Sequence, residues 1–264
     1  MNKLYQKFYT QKIFTLKEAQ KIIKNKQVCL NTLTRLVNKD QIKRLRNTIY
    51  QIIPIDNTEF NPSKIHIASN LREDGIICCN SALIIHNILK EDPKEPIIYI
   101  GSKYPSKIRI RETTYKIIKN KHNFGITETE YTTPYHIIEV QTTDIERTII
   151  DCIRTRTIKL EQMITILKNP KIELNINHII NYLEKYKKPI LYNKIGLILE
   201  TNKTYLKIEE TDIEKIRKKL SKKTYYAREK GLRLIRTKYK YYMKWNIMIP
   251  ENLYEQITPK TITQ

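Results

Sequence analysis

Glycine is scarce in this 264-residue chain, and the five that occur, Gly75, Gly101, Gly125, Gly196 and Gly231, each stand alone. Without closely spaced glycines neither a GxGxxG fingerprint nor a Walker-type phosphate loop can be written, so nucleotide-cradling folds of those kinds are excluded. Cysteine is as sparse. Cys29, Cys78, Cys79 and Cys152 fit neither a disulfide framework nor paired CxxC metal knuckles, and reduced thiols are expected. No apolar run approaches the ~18 residues of a membrane span, and residues 1–10 lack the apolar core of a signal peptide. A cytoplasmic protein with no membrane partner is therefore expected.

What the chain has in excess is positive charge: 49 Lys and Arg against 27 Asp and Glu, a net +22. With 40% hydrophobic residues there is still enough apolar material for one or two cores, which argues against a disordered polyelectrolyte. The charge is clustered. Residues 1–50 carry twelve basic and two acidic side chains, residues 51–214 carry 23 and 22, and residues 215–244 carry thirteen and one. Two basic poles flanking a neutral body point to a polyanionic partner, because counterion release rewards clustered cations. The 18 tyrosines carry less information, since heavy use of Ile, Lys, Asn and Tyr resembles the product of an AT-rich gene.

The first pole has a recognisable order. Thr15 and Glu18 have capping-box spacing, predicting a helix over 16–24 with Ala19, Ile22 and Ile23 inward. Asn31 is placed to cap a second helix, in which Leu33, Leu36 and Val37 form the apolar stripe and Thr32, Thr34, Arg35, Asn38 and Lys39 the outer face. The period then changes to two through Ile42, Lys43, Arg44, Leu45 and Arg46, and residues 49–53 read as a return strand ending at Pro54. Helix, helix and basic hairpin is the order of a winged helix-turn-helix. In such a domain the second helix enters the major groove while Lys43, Arg44 and Arg46 hold flanking phosphates. Winged helices also serve as protein-binding modules, and a small helical domain with a solvated face has a similar pattern. Residues 54–63 turn to Asp, Asn and Pro and read as a linker.

Beyond the linker the periods are mixed. Residues 65–71, 81–89, 159–167, 177–186, 194–199 and 211–220 read as helices, residues 96–100, 107–111 and 137–140 as strands, and 233–249 contains strand-like stretches. The fold class expected is α+β: a winged helix-turn-helix at 1–55 followed by a mixed α/β domain at 56–264, with a subdivision near 155.

Three carboxylates, Asp144, Glu146 and Asp151, invite a metal-nuclease reading. Spacing assigns them structural work instead: Thr143 and Glu146 as a second capping box, Arg147 and Asp151 as an i, i+4 ion pair, and Ile145, Ile149, Ile150 and Ile153 as the buried side. Cys78, Cys79 and His86 do not make a convincing zinc site, since adjacent cysteines chelate one ion poorly, and Cys78-Cys79 reads as a strand end before a helix cap. His66, His122, His136 and His178 are isolated in sequence. No catalytic residue, metal or cofactor is expected. The second pole, with Lys218, Lys219, Lys222, Lys223, Arg228, Arg233, Arg236, Lys238 and Lys240 among tyrosines, suits nucleic acid or an acidic protein face. A solvated basic helix beside an ordinary strand would look similar.

Four stretches together resemble the AbiEi-type antitoxins, transcriptional regulators of abortive-infection systems. They are Phe14-Thr15-Leu16-Lys17-Glu18-Ala19 leading through Leu33-Thr34-Arg35-Leu36-Val37 to Ile49-Tyr50; Asn80-Ser81-Ala82-Leu83-Ile84-Ile85-His86; Asp144-Ile145-Glu146-Arg147-Thr148-Ile149-Ile150-Asp151; and Ile195-Gly196-Leu197-Ile198-Leu199-Glu200 with the later Lys244-Trp245-Asn246. The third is the most specific, being similar to the family's glutamate-arginine-threonine-leucine-x-aspartate signature. Asn47-Thr48 and Asn87 stand where the family usually has glycine. The resemblance implies an autorepressor that binds double-stranded DNA at repeats in its own promoter. It also implies the antitoxin of a type IV phage-defence system, counteracting a nucleotidyltransferase toxin, with or without direct contact. Two rival functions remain open: a metal-dependent enzyme acting on nucleic acid, and a winged-helix regulator without a toxin.

Overall fold

The computed structural model of the protein describes residues 2–92, 94, 96–228 and 237–258. The chain is mixed α and β with several sheets. It gathers into two compact units: Met1–Ile77 with Glu91–His122 and Glu128–Thr142, and Cys78–Lys90 with Asn123–Thr127 and Thr143–Gln264. Neither position 55 nor position 155 is a boundary between them.

The first unit opens with α1 (Lys3–Phe8), β1 (Ile13–Thr15), α2 (Leu16–Ile22), α3 (Lys26–Asn38), β2 (Ile42–Arg46) and β3 (Ile49–Ile52). Thr15 and Glu18 do form the capping box that starts α2, the hydroxyl accepting from Glu18 N–H and the carboxylate from Thr15 N–H. Helix α3 begins five residues before Asn31. Asn25 is its cap, accepting from Val28 N–H at 3.0 Å, and Asn31 sits mid-helix, accepting from Gln27 Nε2. The earlier cap wins because the buried stripe starts at Cys29 and runs through Leu33 to Leu36, one turn longer than the sequence pattern suggested. Strands β1, β3 and β2 form an antiparallel sheet in that order. Leu4, Phe8, Phe14, Leu33, Leu36 and Ile52 fill the space between helices and sheet, with the Phe8 and Phe14 rings stacked at 4.3 Å.

Residues 54–63 are not a free linker. Phe60 is buried, and the buried Gln51 side chain donates to the Phe60 carbonyl at 2.6 Å while accepting from Arg111 at 3.2 Å. A buried amide must find partners, and these tie β3 to the rest of the unit. That remainder is α4 (Lys64–Ser69) and a six-stranded sheet, β4 (Ile76–Ile77), β5 (Ile97–Ser102), β6 (Ser106–Ile110), β7 (Thr113–Lys119), β8 (Ile126–Thr132) and β9 (Ile137–Thr143), in the order β6-β7-β5-β4-β9-β8.

The second unit contains α5 (Asn80–Ile85), α6 (Ile145–Thr155), α7 (Leu160–Ile166), α8 (Ile176–Tyr186), α9 (Pro189–Thr201), α10 (Lys203–Leu206), α11 (Glu210–Arg217), β10 (Tyr225–Tyr226), β11 (Tyr239–Tyr242), a 3₁₀ turn at Met243–Trp245, β12 (Ile247–Pro250) and α12 (Glu251–Ile257). Helix α9 is buried continuously from Leu191 to Leu199, so it shows no amphipathic period, and Pro189 sets its first turn. Strand β12 lies between β10, which is parallel to it, and β11, which is antiparallel.

Candidate nucleic-acid interface

The polar face expected on the second helix is present on α3. Asn31, Thr34, Arg35, Asn38 and Lys39 are exposed, while Thr32 is half-buried. The β2–β3 hairpin that follows exposes Lys43, Arg44 and Arg46. A register shift lies between Arg44 and Arg46, and Arg44 donates to the carbonyl of Asn47 at 3.2 Å across the hairpin tip. Asn47 keeps a negative φ at the tip, whereas Asn87, at the end of α5, takes φ 57°, the left-handed conformation that glycine and asparagine accept.

The signature segment forms α6, with its cap one residue later than the spacing predicts. Asp144, not Thr143, is the N-cap and accepts from Arg147 N–H at 2.8 Å. Thr143 ends β9, where its hydroxyl meets that of Thr148, and Glu146 reaches away to accept from Asn175 N–H at 2.7 Å. The Arg147–Asp151 pair forms at 3.3 Å with both side chains 2% exposed. Asp151 is bonded further by Arg154 and by the Tyr186 hydroxyl at 2.8 Å. Burial, reinforced by the Asp151 charge, pushes the Tyr186 phenol well above its usual range. The Arg147 guanidinium lies over Phe124, 5.1 Å from the ring centre, and donates to the Phe124 carbonyl. Within such a buried pair, loss of either partner would leave an uncompensated charge.

Several chemistry-bearing groups meet that are distant in sequence. Asp144, Glu146 and His178 bring ligand-capable atoms within 4.8 Å of one another. Both carboxylates already hold backbone amides, and Asp144 also accepts from Tyr182 at 2.6 Å. In the first unit His66 and His136 approach to 5.1 Å between ring centres, on the wall of a cavity of about 610 Å³ also lined by Gln11, Asn70 and Glu139. Burial, and then His136, lower His66 to about 4. Asp144 and Glu146 are visible in sequence as neighbouring carboxylates, but nothing there joins His178 to them or His66 to His136, which come from separate elements. The four cysteines are buried and free. Cys79 stands between β4 and α5 with φ 53° and ψ −136°, and its interaction with Cys152, and then with Cys78, lowers its thiol well below the usual range.

In the second pole the cations divide. Lys219 pairs with Glu184 at 3.0 Å and Lys240 with Glu251 at 2.9 Å, and hydrogen bonds to those carboxylates raise both ammonium groups. Lys218, Lys222, Lys223, Arg228 and Lys238 are exposed. Arg233 and Arg236 lie outside the described residues. Among the described residues no helix is long and apolar enough to cross a membrane. The chain matches no protein-family model and no curated protein.

Proposed function

We propose that the protein is a DNA-binding transcriptional repressor and the antitoxin of an AbiEi-like, type IV toxin–antitoxin system that counteracts a nucleotidyltransferase toxin. The observation that carries the DNA-binding half is the exposed polar face of α3 directly followed by a hairpin presenting three cations, both backed by one aromatic and aliphatic core. We take α1, β1, α2, α3 and the β2–β3 hairpin as a winged helix-turn-helix. In this reading Thr34, Arg35 and Asn38 reach base edges, and Lys43, Arg44 and Arg46 hold phosphates. The antitoxin half is supported by the resemblance and by the separate basic surface of the second unit.

The test is co-expression with the product of the adjacent reading frame. Point variants are used because a cut at residue 55 would pass through the first unit. The full chain restores growth, Arg35→Ala leaves rescue intact, and Lys222→Glu with Lys223→Glu weakens it. A neighbour that is not a nucleotidyltransferase, or a toxin that the full chain fails to neutralise, contradicts the antitoxin half.

A second reading, a metal-dependent enzyme acting on nucleic acid, is favoured by the Asp144, Glu146 and His178 grouping. It requires turnover that is abolished both by chelator and by Glu146→Gln.

A further inference from the structure

Two helix starts in the second unit converge on one point. Asp144 is the N-cap of α6, Glu146 lies in its first turn, and His178 lies in the first turn of α8; an oxygen of each carboxylate and a ring nitrogen of His178 stand within 4.8 Å of one another. Each carboxylate is fixed from behind. Asp144 accepts from Arg147 N–H at 2.8 Å through Oδ1 and from the Tyr182 hydroxyl at 2.6 Å through Oδ2, and a β-carbon on Gly125 would come within 2.9 Å of that same Oδ2. Glu146 accepts from Asn175 N–H at 2.7 Å through Oε1. Asn175, the cap of α8, also accepts from His178 N–H at 3.3 Å, so one residue places both Glu146 and the backbone that carries His178.

Glu146 decides what this point can hold. Its residue is only 8% exposed, Oε2 has no hydrogen-bond partner among the described residues, and neither Glu146 nor Asp144 forms an ion pair among them. The arginines of α6 are engaged elsewhere: Arg147 and Arg154 both turn to Asp151. Two carboxylates this close repel each other, and a buried charge is ordinarily either paired or bound to a metal. Glu146 also lines a cavity of about 570 Å³ whose wall carries Glu173, Glu209 and Asp212 against one cation, Lys207. A small cation is drawn toward such a wall.

We propose that Asp144, Glu146 and His178 bind one zinc ion, which clasps the start of α6 to the start of α8. Two carboxylates and an imidazole are donors that zinc accepts with a fourth position left to water, whereas magnesium and calcium favour oxygen alone. Zinc bonds of about 2.0–2.2 Å in a tetrahedron set ligand atoms ~3.4 Å apart. His178 is exposed, and a rotation of its ring closes the remaining distance. The bonds from Arg147, Tyr182 and Asn175 then serve as the outer contacts that orient metal ligands. The clasp needs no turnover, so it does not rest on the enzyme reading, nor on the repressor or antitoxin one.

The experiment is calorimetric titration of the untagged, chelator-treated full chain with Zn²⁺, with Mg²⁺ as a parallel arm and Co²⁺ as a spectroscopic substitute. One Zn²⁺ binds per chain and raises its Tm, and Co²⁺ gives the intense visible absorption of a four-coordinate ion. His178→Ala, at an exposed position, keeps the Tm of the metal-free chain, weakens Zn²⁺ binding at least tenfold and diminishes the Tm rise at the same zinc concentration. Glu146→Gln, whose amide oxygen still accepts from Asn175, weakens binding as much. Tyr182→Phe, which frees Asp144 from its orienting bond, weakens it about tenfold. Zinc bound in this way with no cleavage of nucleic acid supports the clasp and contradicts the enzyme reading, so the two fail separately. Absence of saturable 1:1 binding, Zn²⁺ affinity unchanged in His178→Ala, or Mg²⁺ bound as tightly as Zn²⁺ would each overturn the proposal.

Discussion

The ring of Trp245 occupies the space where a β-carbon on Gly196 would stand: such a carbon would come within 2.0 Å of the indole. The same indole donates from Nε1 to Glu200 at 2.5 Å, and its backbone carbonyl accepts from Asn193 at 2.7 Å. Two segments 45 residues apart in sequence, both part of the family resemblance, are thus one packing unit. Helix α9 has room only for a glycine at this point, because the indole occupies the space of a β-carbon, and Glu200 faces the indole N–H, Arg217 and Lys244.

Gly196→Ala therefore forces Trp245 off its seat, and overpacking of this kind costs about 1–3 kcal/mol. Urea unfolding followed by Trp245 fluorescence, the chain having one tryptophan, shows a lower midpoint and an altered native spectrum. A variant with the natural midpoint and spectrum contradicts the packing.

Removing either member of the Arg147–Asp151 pair strands a charge that is buried with it. Arg147→Ala costs about 3–5 kcal/mol, or roughly 10 °C in Tm for a chain of this size. Asp151→Asn also destabilises, since the carboxylate answers two arginines and a tyrosine hydroxyl. Neither change removes a metal-dependent activity. Thermal melts beside a chelator-controlled cleavage assay check both points, and cleavage lost in Asp151→Asn at unchanged Tm contradicts the structural assignment.

His66 gives the first unit a pH dependence of known sign. An unfolded chain takes up a proton on this histidine near 6.5, whereas the folded one keeps it neutral down to about 4, because the ring is 4% exposed and faces His136. The contribution is complete above about 6.5 and is lost as pH falls toward 4, by about 3 kcal/mol at most. Unfolding midpoints of the natural chain and His66→Asn, measured from pH 7.5 to 4, converge as pH falls. Parallel curves contradict the prediction.

The parts legible in sequence were those with a short-range period or a cap. The Thr15–Glu18 box, the stripe through Leu33 and Leu36, and the Arg147–Asp151 spacing each read directly, because helix geometry fixes which residues meet. Strand β8 was missed because Ile126–Thr132 has no buried residue and hence no apolar signal. Strand β7 alternates buried Thr113, Tyr115 and Ile117, a period of two that local sequence does carry. The cap of α6 shifted to Asp144 because Thr143 still belongs to a strand, a boundary that spacing alone does not mark. The His66–His136 pair and the approach of His178 to Asp144 and Glu146 depend on which strands and helices become neighbours. No local pattern encodes that.

The central claim, that α3 and the hairpin read duplex DNA, is tested most directly by binding of the full chain to its own upstream DNA at several salt concentrations. Arg35→Ala weakens binding to the promoter by roughly 1–3 kcal/mol while leaving unrelated DNA little changed, and Lys43→Ala weakens all sequences alike and reduces the salt slope by about one. Promoter affinity and salt slope unchanged in both variants would contradict the account.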